Sequence, residues 1–191
     1  MPNGTQIKVG ERSYGLVEVR PYFLYDTVKI PTTGISEFYT FLTPEGKTLS
    51  ETNLKQFSQI PVGWVFEVHS IRLIPWTGTS LTDLETVLTG WIVSYIKEGD
   101  TSIFDAPAIV FNAGCGIHGA VATTATTTTL DIVSLGLPSS GSVWKPKFPL
   151  YIRGGETFNF RHRWTPTPTP TAEVRVYHLL EGILKRPVRG A

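Results

Sequence analysis

Histidines are the residues of this chain best suited to metal binding or acid–base chemistry. They are His69, His118, His162 and His178. A metal site in a small β-barrel enzyme commonly takes two histidines separated by one residue, a carboxylate and a later histidine, and the chain has no His-x-His pair. Arg161 and Arg163 flank His162, and their charges would repel a cation and lower the pKa of that imidazole. We therefore expect His162 and His178 to fill a sheet interior and predict no metal ligand.

A thiol and an imidazole stand three residues apart in "CGIH", at Cys115 and His118. A cysteine nucleophile needs a paired base and an oxyanion hole. The neighbouring glycines could supply backbone N–H groups, but no third residue that would orient the base can be identified. The segment favours a glycine loop that contains a cysteine and a histidine without catalytic use.

Carboxylates could act as a pair in glycoside hydrolysis. Only Glu98 with Asp100 and Asp83 with Glu85 are close in sequence, and they fall in a predicted turn and at a predicted helix start. Structural roles suffice there. No P-loop, dinucleotide-binding glycine fingerprint or Gly-x-Ser-x-Gly elbow occurs. The sequence therefore predicts no enzyme activity, no cofactor, and no catalytic, cofactor-binding or metal-binding residue.

Aromatic side chains make up 12% of the chain and include five tryptophans. Such rings could stack on sugars, but they also fill sheet cores and anchor protein interfaces, and we expect the latter. The tryptophans are Trp64, Trp76, Trp91, Trp144 and Trp164. The alternating segment "TPTPTPT" at 165–171 predicts a stiff, exposed, extended loop.

Composition excludes several classes of protein. The net charge of +1 gives no field to recruit nucleic acid, and one cysteine excludes an intramolecular disulfide. The start of the chain lacks the apolar stretch of a signal peptide, and no run approaches ~18 apolar residues, so we expect synthesis in a cytoplasm and no membrane span. Charged residues are only 17%, which suggests either a surface partly covered, for example by neighbouring copies, or simply a sheet protein rich in Thr, Gly and Pro. The basic residues in "LKRPVRGA" predict a solvated tail.

Strands with a period of two dominate the C-terminal part. One predicted strand places Phe158, Phe160, His162 and Trp164 on one face. The last places Val174, Val176, His178, Leu180 and Leu184 on one face, although Leu179 and Ile183 blur the division. The strand at 63–76 places Trp64, Phe66 and Val68 opposite Val65, Glu67, His69, Ile71 and Leu73.

The rest of the chain continues this pattern. Further strands are predicted at 14–30 (two short strands split by Pro21), 36–43, 91–99, 107–114 and 148–156. One short helix is predicted at 80–90, capped by Ser80 or Thr82 and closed by Gly90. The threonine run 123–129 suits a strand or an exposed loop. Long connectors at 43–62 and 114–147 fit Greek-key crossings.

These elements predict an all-β fold, a single jelly-roll sandwich or barrel of about eight strands with one short helix. The chain has the length of one domain, 1–191. We expect a flexible N-terminal arm at about 1–13 and a C-terminal tail at about 185–191.

The order of segments resembles a known family. An aromatic strand precedes "TLSETNLKQFSQIPVGWVFEVHSIRLIP", and "GGETFNFRHRW", a variable loop and "VRVYHLLEGILKRPV" follow near the end. This resembles the single-jelly-roll major capsid proteins of tailless icosahedral, membrane-containing Thermus phages, over residues 36–75 and 148–188. The resemblance implies a barrel standing upright in a virion capsid and forming pseudo-hexagonal capsomers over an inner membrane. Its partners would be copies of itself, with or without a second capsid protein, and no specific nucleic acid.

Two other functions stay open at this point. A carbohydrate-binding jelly roll, lectin-like or from a spike, would use exposed aromatic residues on a sheet face. A cupin-like metalloenzyme would hold a metal at His162 or His118.

Overall fold

Two four-stranded antiparallel sheets form the body of the protein. The computed structural model describes residues 8–9, 12–13, 17–76, 78–98, 101–112, 117–123, 128–134 and 143–188. The first sheet, here the β12 sheet, has the order β10 (Leu150–Arg153), β5 (Val65–Pro75), β12 (Val174–Pro187) and β3 (Val17–Ile30). The second, the β11 sheet, has the order β4 (Glu37–Thr40), β11 (Phe158–Trp164), β6 (Trp91–Lys97) and β7 (Thr101–Pro107).

Short hairpins and helices complete the described chain. The hairpin strands are β1 (Lys8–Val9) with β2 (Arg12–Ser13), and β8 (Ile117–Thr123) with β9 (Thr128–Ser134). The helices are α1 (Leu81–Leu88) and α2 (Ile109–Asn112). No described helix is long and apolar enough to cross a bilayer.

The connections between strands repeatedly cross from one sheet to the other. The chain passes from β3 in the β12 sheet to β4 in the β11 sheet, returns to β5, and crosses again to β6. After the β6–β7 hairpin it comes back to β10 and then crosses to β11 and once more to β12. In this order the last two strands of the sandwich pair with its first two strands: β12 lies beside β3, and β11 lies beside β4. It is the double Greek key of a jelly roll, and the predicted all-β sandwich of about eight strands is confirmed.

The core lies between the two sheets and follows the period-two pattern of β11 and β12. Their burial alternates strictly, with the predicted apolar residues and both histidines facing inward. Leu179 and Ile183, which left the division of β12 uncertain, belong to the outer face. The prediction for these two strands is therefore confirmed.

A β-bulge changes the prediction for β5. The register between β5 and β12 moves from Glu181–Ser70 to Gly182–Val68 and skips His69. One extra residue restarts the alternation, so side chains on both sides of the bulge point to the same core. These buried residues are Phe66, Val68, Ile71 and Leu73. The predicted opposition of Ile71 and Leu73 to Phe66 and Val68 is wrong for this reason.

Pro21 does not split the first long strand. β3 runs for 14 residues without a break, and Pro21 lies opposite Ile183 of β12. β3 is an edge strand, so one side of its backbone pairs with no other strand of the sheet. A proline with its nitrogen on that side removes no hydrogen bond of the ladder. The two predicted short strands are one edge strand.

The region after β6 also differs from the prediction. A strand occupies Thr101–Pro107, where none was predicted, and the predicted strand at 107–114 is instead the short helix α2 at Ile109–Asn112. A proline at the end of β7 stops the ladder, and Ala108 and Phe111 then close a turn through an N–H to carbonyl bond of 3.0 Å. Parts of the threonine run belong to β8 and β9, so the strand alternative holds for Thr123, Thr128 and Thr129.

The predicted helix and the predicted tail have different outcomes. α1 has Ser80 as its N-cap, with the Asp83 N–H donating to the Ser80 hydroxyl, and Gly90 follows the C-cap with a φ of +65°. The tail predicted from 185 is wrong at its start, because Lys185 and Arg186 belong to β12 and bind acids of neighbouring strands. Residues 189–191 and most of the predicted arm lie outside the described residues.

Candidate functional site

Four polar or aromatic side chains meet in the centre of the sandwich, and two of them, His162 and His178, are candidates from the sequence analysis. His162 of β11 and His178 of β12 approach across the core, with 3.3 Å between Nε2 of the first and Nδ1 of the second. The Thr40 hydroxyl lies 2.9 Å from each of those nitrogens. The indole N–H of Trp91 lies 3.2 Å from His162 Nδ1. We call these four residues the histidine cluster.

Hydrogen-bond direction fixes where the protons sit in the histidine cluster. Trp91 can only donate, so His162 Nδ1 accepts and the proton of that ring is on Nε2. That N–H donates to the Thr40 hydroxyl, which in turn donates to His178 Nδ1. The proton of His178 is then on Nε2, which is buried and has no hydrogen-bond partner among the described residues. Both imidazoles are neutral in this arrangement.

Burial keeps both imidazoles neutral. His162 and His178 are each 0% exposed, and Phe160 packs edge-on against His178 with ring centroids 4.4 Å apart. Burial lowers the pKa of His162 to about 3. Burial, together with the neighbouring His162, holds the pKa of His178 well below its ordinary value. The predicted lowering at His162 is confirmed, but loss of solvation causes it rather than the flanking arginines.

A buried carboxylate near the cluster is already occupied. Asp26 lies opposite His178 in the register of β3 and β12, and both of its oxygens bind the Lys47 ammonium at 2.7 and 2.8 Å. The same carboxylate accepts the N–H groups of Thr27 and Phe41 at 2.9 and 2.6 Å. Asp26 is therefore a structural anchor for the chain that leaves β4. No sequence pattern indicated this contact.

Metal binding is not supported by any cluster of donors in the described part of the chain. No three histidine, cysteine or acidic residues come together there in a way that could hold an ion. Cys115 lies outside the described residues, and the same is true of the side chain of His118. The absence of a metal site stays a prediction.

His69 stands apart from the histidine cluster, on the outer face of the β12 sheet. Its Nε2 lies 2.9 Å from Glu67 Oε1, and the other oxygen of Glu67 accepts from Lys185 at 2.8 Å. The three side chains form a surface ion-pair group next to the β5 bulge. Their side chains are partly exposed, which limits their contribution to stability.

The predicted carboxylate pairs have structural roles where the structure describes them. Asp83 accepts the N–H of Thr171 at 2.6 Å and the Thr171 hydroxyl at 2.9 and 3.0 Å. Glu98 occupies a turn with a φ of +50°, and Asp100 lies outside the described residues.

The Thr-Pro loop is held to the body of the protein at several points. Pro168 and Pro170 are buried while Thr167 and Thr169 are exposed, so only one side of the predicted exposed loop faces solvent. Its last residue, Thr171, is bound by Asp83 as described above.

Replacing Asp83 by alanine is expected to lower the free energy of unfolding by about 1–3 kcal/mol. The substitution removes the acceptor of the Thr171 N–H and hydroxyl and so releases the end of the Thr-Pro loop from α1. Urea unfolding followed by tryptophan fluorescence measures the loss. Glu85→Ala, on the exposed side of the same helix, should change stability by less than ~0.5 kcal/mol. Equal losses in the two variants would contradict the anchoring role of Asp83.

The tryptophans divide between the core and the outer surface. Trp91 and Trp164 are buried and stack with ring centroids 5.1 Å apart, and Trp164 donates to the Val87 carbonyl at 2.9 Å. Trp144 packs edge-on against Phe111. Trp64 and Trp76 are half-buried, each with an arginine over the ring: Arg186 at 5.6 Å and Arg175 at 5.0 Å.

Two surface depressions were not predicted from the sequence. The larger, about 620 Å³, lies where the start of β3 meets the end of β12, and we call it the end cleft. Its lining residues are Glu18, Lys55, Pro61, Val62, Trp64, Arg186, Pro187 and Val188. The smaller, an apolar groove of about 280 Å³ on the outer face of the β12 sheet, is lined by Tyr25, Ser50, Ile74, Tyr177 and Leu179.

No protein-family model, curated protein or solved structure matches this chain. The jelly roll is therefore assigned from its own strand order and register.

Proposed function

We propose that this chain is a structural protein of a viral capsid, which builds an icosahedral shell through repeated contacts with its own copies and has no catalytic role. The observation that carries the proposal is the combination of a jelly roll with large apolar side chains left exposed outside it. The resemblance to phage capsid proteins in residues 36–75 and 148–188 supports the same function. Contact with a second capsid protein or an inner viral membrane is part of the proposal, and the virion is the proposed location.

The end cleft is the surface best suited to a neighbouring copy. Val62 is 79% exposed and lies beside Pro187 and Val188. The loop ends next to it approach each other closely, because a Cβ added at Gly154 would lie 2.0 Å from the Pro61 carbonyl oxygen. The surface is therefore apolar in part, and the loop ends beside it are closely packed. Exposed apolar patches with a polar rim mark protein interaction sites, and the rim here holds both signs of charge, from Glu18, Lys55 and Arg186.

Other exposed apolar side chains lie in loops and at strand starts. Leu49, Phe57 and Phe148 are more than half exposed. A shell subunit uses several such surfaces, because closed symmetry repeats each interface many times and weak contacts then suffice.

Carbohydrate binding is the second candidate, and the apolar groove is the observation that favours it. Tyr25 and Tyr177 line the groove and make an edge-on ring contact with centroids 6.2 Å apart, and Trp76 packs at a tilt against Tyr177 with centroids 5.1 Å apart. Both tyrosine hydroxyls already donate to backbone carbonyls, of Leu49 and Ser50. The rings could stack on a sugar, but those hydroxyls are engaged, so the capsid function is preferred.

Sedimentation velocity across a hundredfold range of protein concentration tests the capsid proposal. We expect concentration-dependent oligomers in the wild type, and we expect Val62→Asp to weaken association at least tenfold by placing a charge in the end cleft. Electron microscopy of the high-concentration sample should show ordered assemblies or capsomers.

Thr169→Asp is the matched control, because it also adds a carboxylate to an exposed site. Thr169 and the end cleft lie at opposite ends of the sandwich. The β5–β12 ladder runs between them, from the pair Lys185–Val65 near the end cleft to the pair Val176–Pro75 near the Thr-Pro loop. The association of Thr169→Asp should equal that of the wild type. A monomer at every concentration, alone and with lipid vesicles, would contradict the proposal, and a shift of tryptophan fluorescence with oligosaccharides would favour the second candidate.

A further inference from the structure

The histidine cluster joins the two sheets through groups whose hydrogen bonds depend on protonation. His162 belongs to the β11 sheet and His178 to the β12 sheet, and Thr40 contacts both. Each imidazole uses Nδ1 as an acceptor, His162 from Trp91 and His178 from Thr40. The contact between the sheets therefore holds two acceptor nitrogens, each facing a donor.

Adding a proton to either ring disrupts this arrangement. A proton on His162 Nδ1 would point at the indole N–H of Trp91, which has no acceptor to offer. A proton on His178 Nδ1 would face the Thr40 hydroxyl and the N–H on His162 Nε2, at 2.9 and 3.3 Å. Two imidazolium ions in contact would also repel each other in a buried site.

The groups that the structure describes around the pair offer no compensation for a positive charge. From β3, the carboxylate of Asp26 is already neutralised by Lys47. From β6, burial raises the pKa of Tyr95, so it stays neutral, and from β5 the register neighbour of His178 is the apolar Leu73. Arg161 and Arg163 of β11 point to the outer face and add only positive charge.

We propose that His162 and His178 form an acid-sensitive latch, which holds the two sheets together while both rings are neutral and weakens as the solution becomes mildly acidic. The latch is independent of what the protein assembles into. Opening hydrates the rings and lets them take up protons, so acid favours the opened state.

The direction of the effect follows from the pKa values. Both histidines have a pKa in the folded protein below the ordinary value of 6.5, so the folded state binds fewer protons than the unfolded chain. Their contribution to stability is complete above pH 6.5 and is lost as the pH falls toward the lowered pKa of the folded state. Each histidine raises the unfolding constant about tenfold per pH unit in that range.

Carboxylates act at lower pH and do not obscure the effect. The Lys29 ammonium holds the pKa of Glu51 at about 2, and bonds from Arg186 and Lys185 lower the pKa values of Glu18 and Glu67. Their losses begin below the ordinary value of 4.5. Between pH 8 and pH 5 the two buried histidines should raise the unfolding constant about a thousandfold.

Urea unfolding at pH 8, 7, 6 and 5 tests the latch, at a protein concentration where the chain is monomeric. We expect the thousandfold rise in the wild type and about a thirtyfold rise in His162→Gln, which retains one buried imidazole. The matched control is His69→Gln, since His69 is a partly exposed histidine, and it should keep the wild-type rise. A rise below tenfold in the wild type, or an unchanged rise in His162→Gln, would overturn the proposal.

Nuclear magnetic resonance of the wild type gives a second measurement that needs no substitution. The imidazole ¹³C and ¹⁵N shifts should show two rings that stay neutral in the folded protein down to pH 5, with the proton of each on Nε2. Two buried rings that titrate near pH 6.5 without unfolding would overturn the latch. Neither experiment depends on assembly, so a failed latch and a failed capsid function can be told apart.

Discussion

Asp26→Ala is expected to lower the free energy of unfolding by about 3–5 kcal/mol. The carboxylate is 0% exposed and binds the Lys47 ammonium, whose side chain is only 13% exposed. Its removal leaves that ammonium without its counter-charge and leaves the N–H groups of Thr27 and Phe41 without their acceptor. Phe41 has a φ of +59°, so its left-handed backbone also loses the contact that holds it. Urea unfolding at pH 7 measures the change.

Two further variants serve as controls for Asp26→Ala. Glu45→Ala removes an exposed acid from the turn that precedes Lys47 and should cost less than ~0.5 kcal/mol. Asp26→Leu combined with Lys47→Met removes both charges and should be more stable than Asp26→Leu alone, because no buried ammonium is left unpaired. A loss below ~1 kcal/mol in Asp26→Ala would show that the pair does not hold the chain after β4.

Period-two alternation predicted the strands that carry most of the core. The alternation is clean in β11 and β12 because both strands are central in their sheets. No bulge interrupts the inner face of β11 or the first half of β12. The alternation in β5 fails at His69, where the bulge adds one residue. Nothing in "VFEVHSIRLIP" marks that residue, since the bulge is defined by the partner strand and requires Gly182 far along the chain.

The histidine cluster was only half predictable. Both histidines fall on inward faces of their predicted strands, and this supported their assignment as polar fillers. Their partners are distant in sequence: Thr40 is 122 residues from His162 and Trp91 is 71 residues from it. A buried histidine needs a partner, but the pairing of β4 and β6 with β11 must be known before the partner can be named.

The segment after Pro107 and the end of β12 were mispredicted because their residues suit more than one kind of structure. Pro107 and the apolar run after it suited a strand, yet the missing N–H of proline ends β7 and the chain turns into α2. Lys185 and Arg186 looked like part of a solvated basic tail. Pairing with Glu67 and Glu18 on neighbouring strands keeps them in β12.

Gly182→Ala is expected to lower the free energy of unfolding by at least about 4 kcal/mol. A Cβ at this position would lie 1.9 Å from the Glu67 carbonyl oxygen and 2.8 Å from its carbon. Both are backbone atoms of the central β5–β12 ladder, so the two strands would have to separate at the bulge. Ile71 and Leu73 would then lose their place in the core. The measurements are urea unfolding and the protection of β12 amides from hydrogen exchange.

Gly46→Ala is the control that separates steric overlap from the conformational cost of replacing glycine. Gly46 has a φ of +71° and nothing within 4 Å of an added Cβ, so its substitution should cost about 1–2 kcal/mol from the left-handed backbone alone. At Gly182 the reason for glycine is steric, because the backbone of Glu67 leaves no room for a Cβ. If the two variants lost equal stability, the bulge would not depend on that approach. A larger loss in Gly182→Ala, with exchange increased first in β5 and β12, would show that this one glycine sets the register that turns both halves of β5 toward the core.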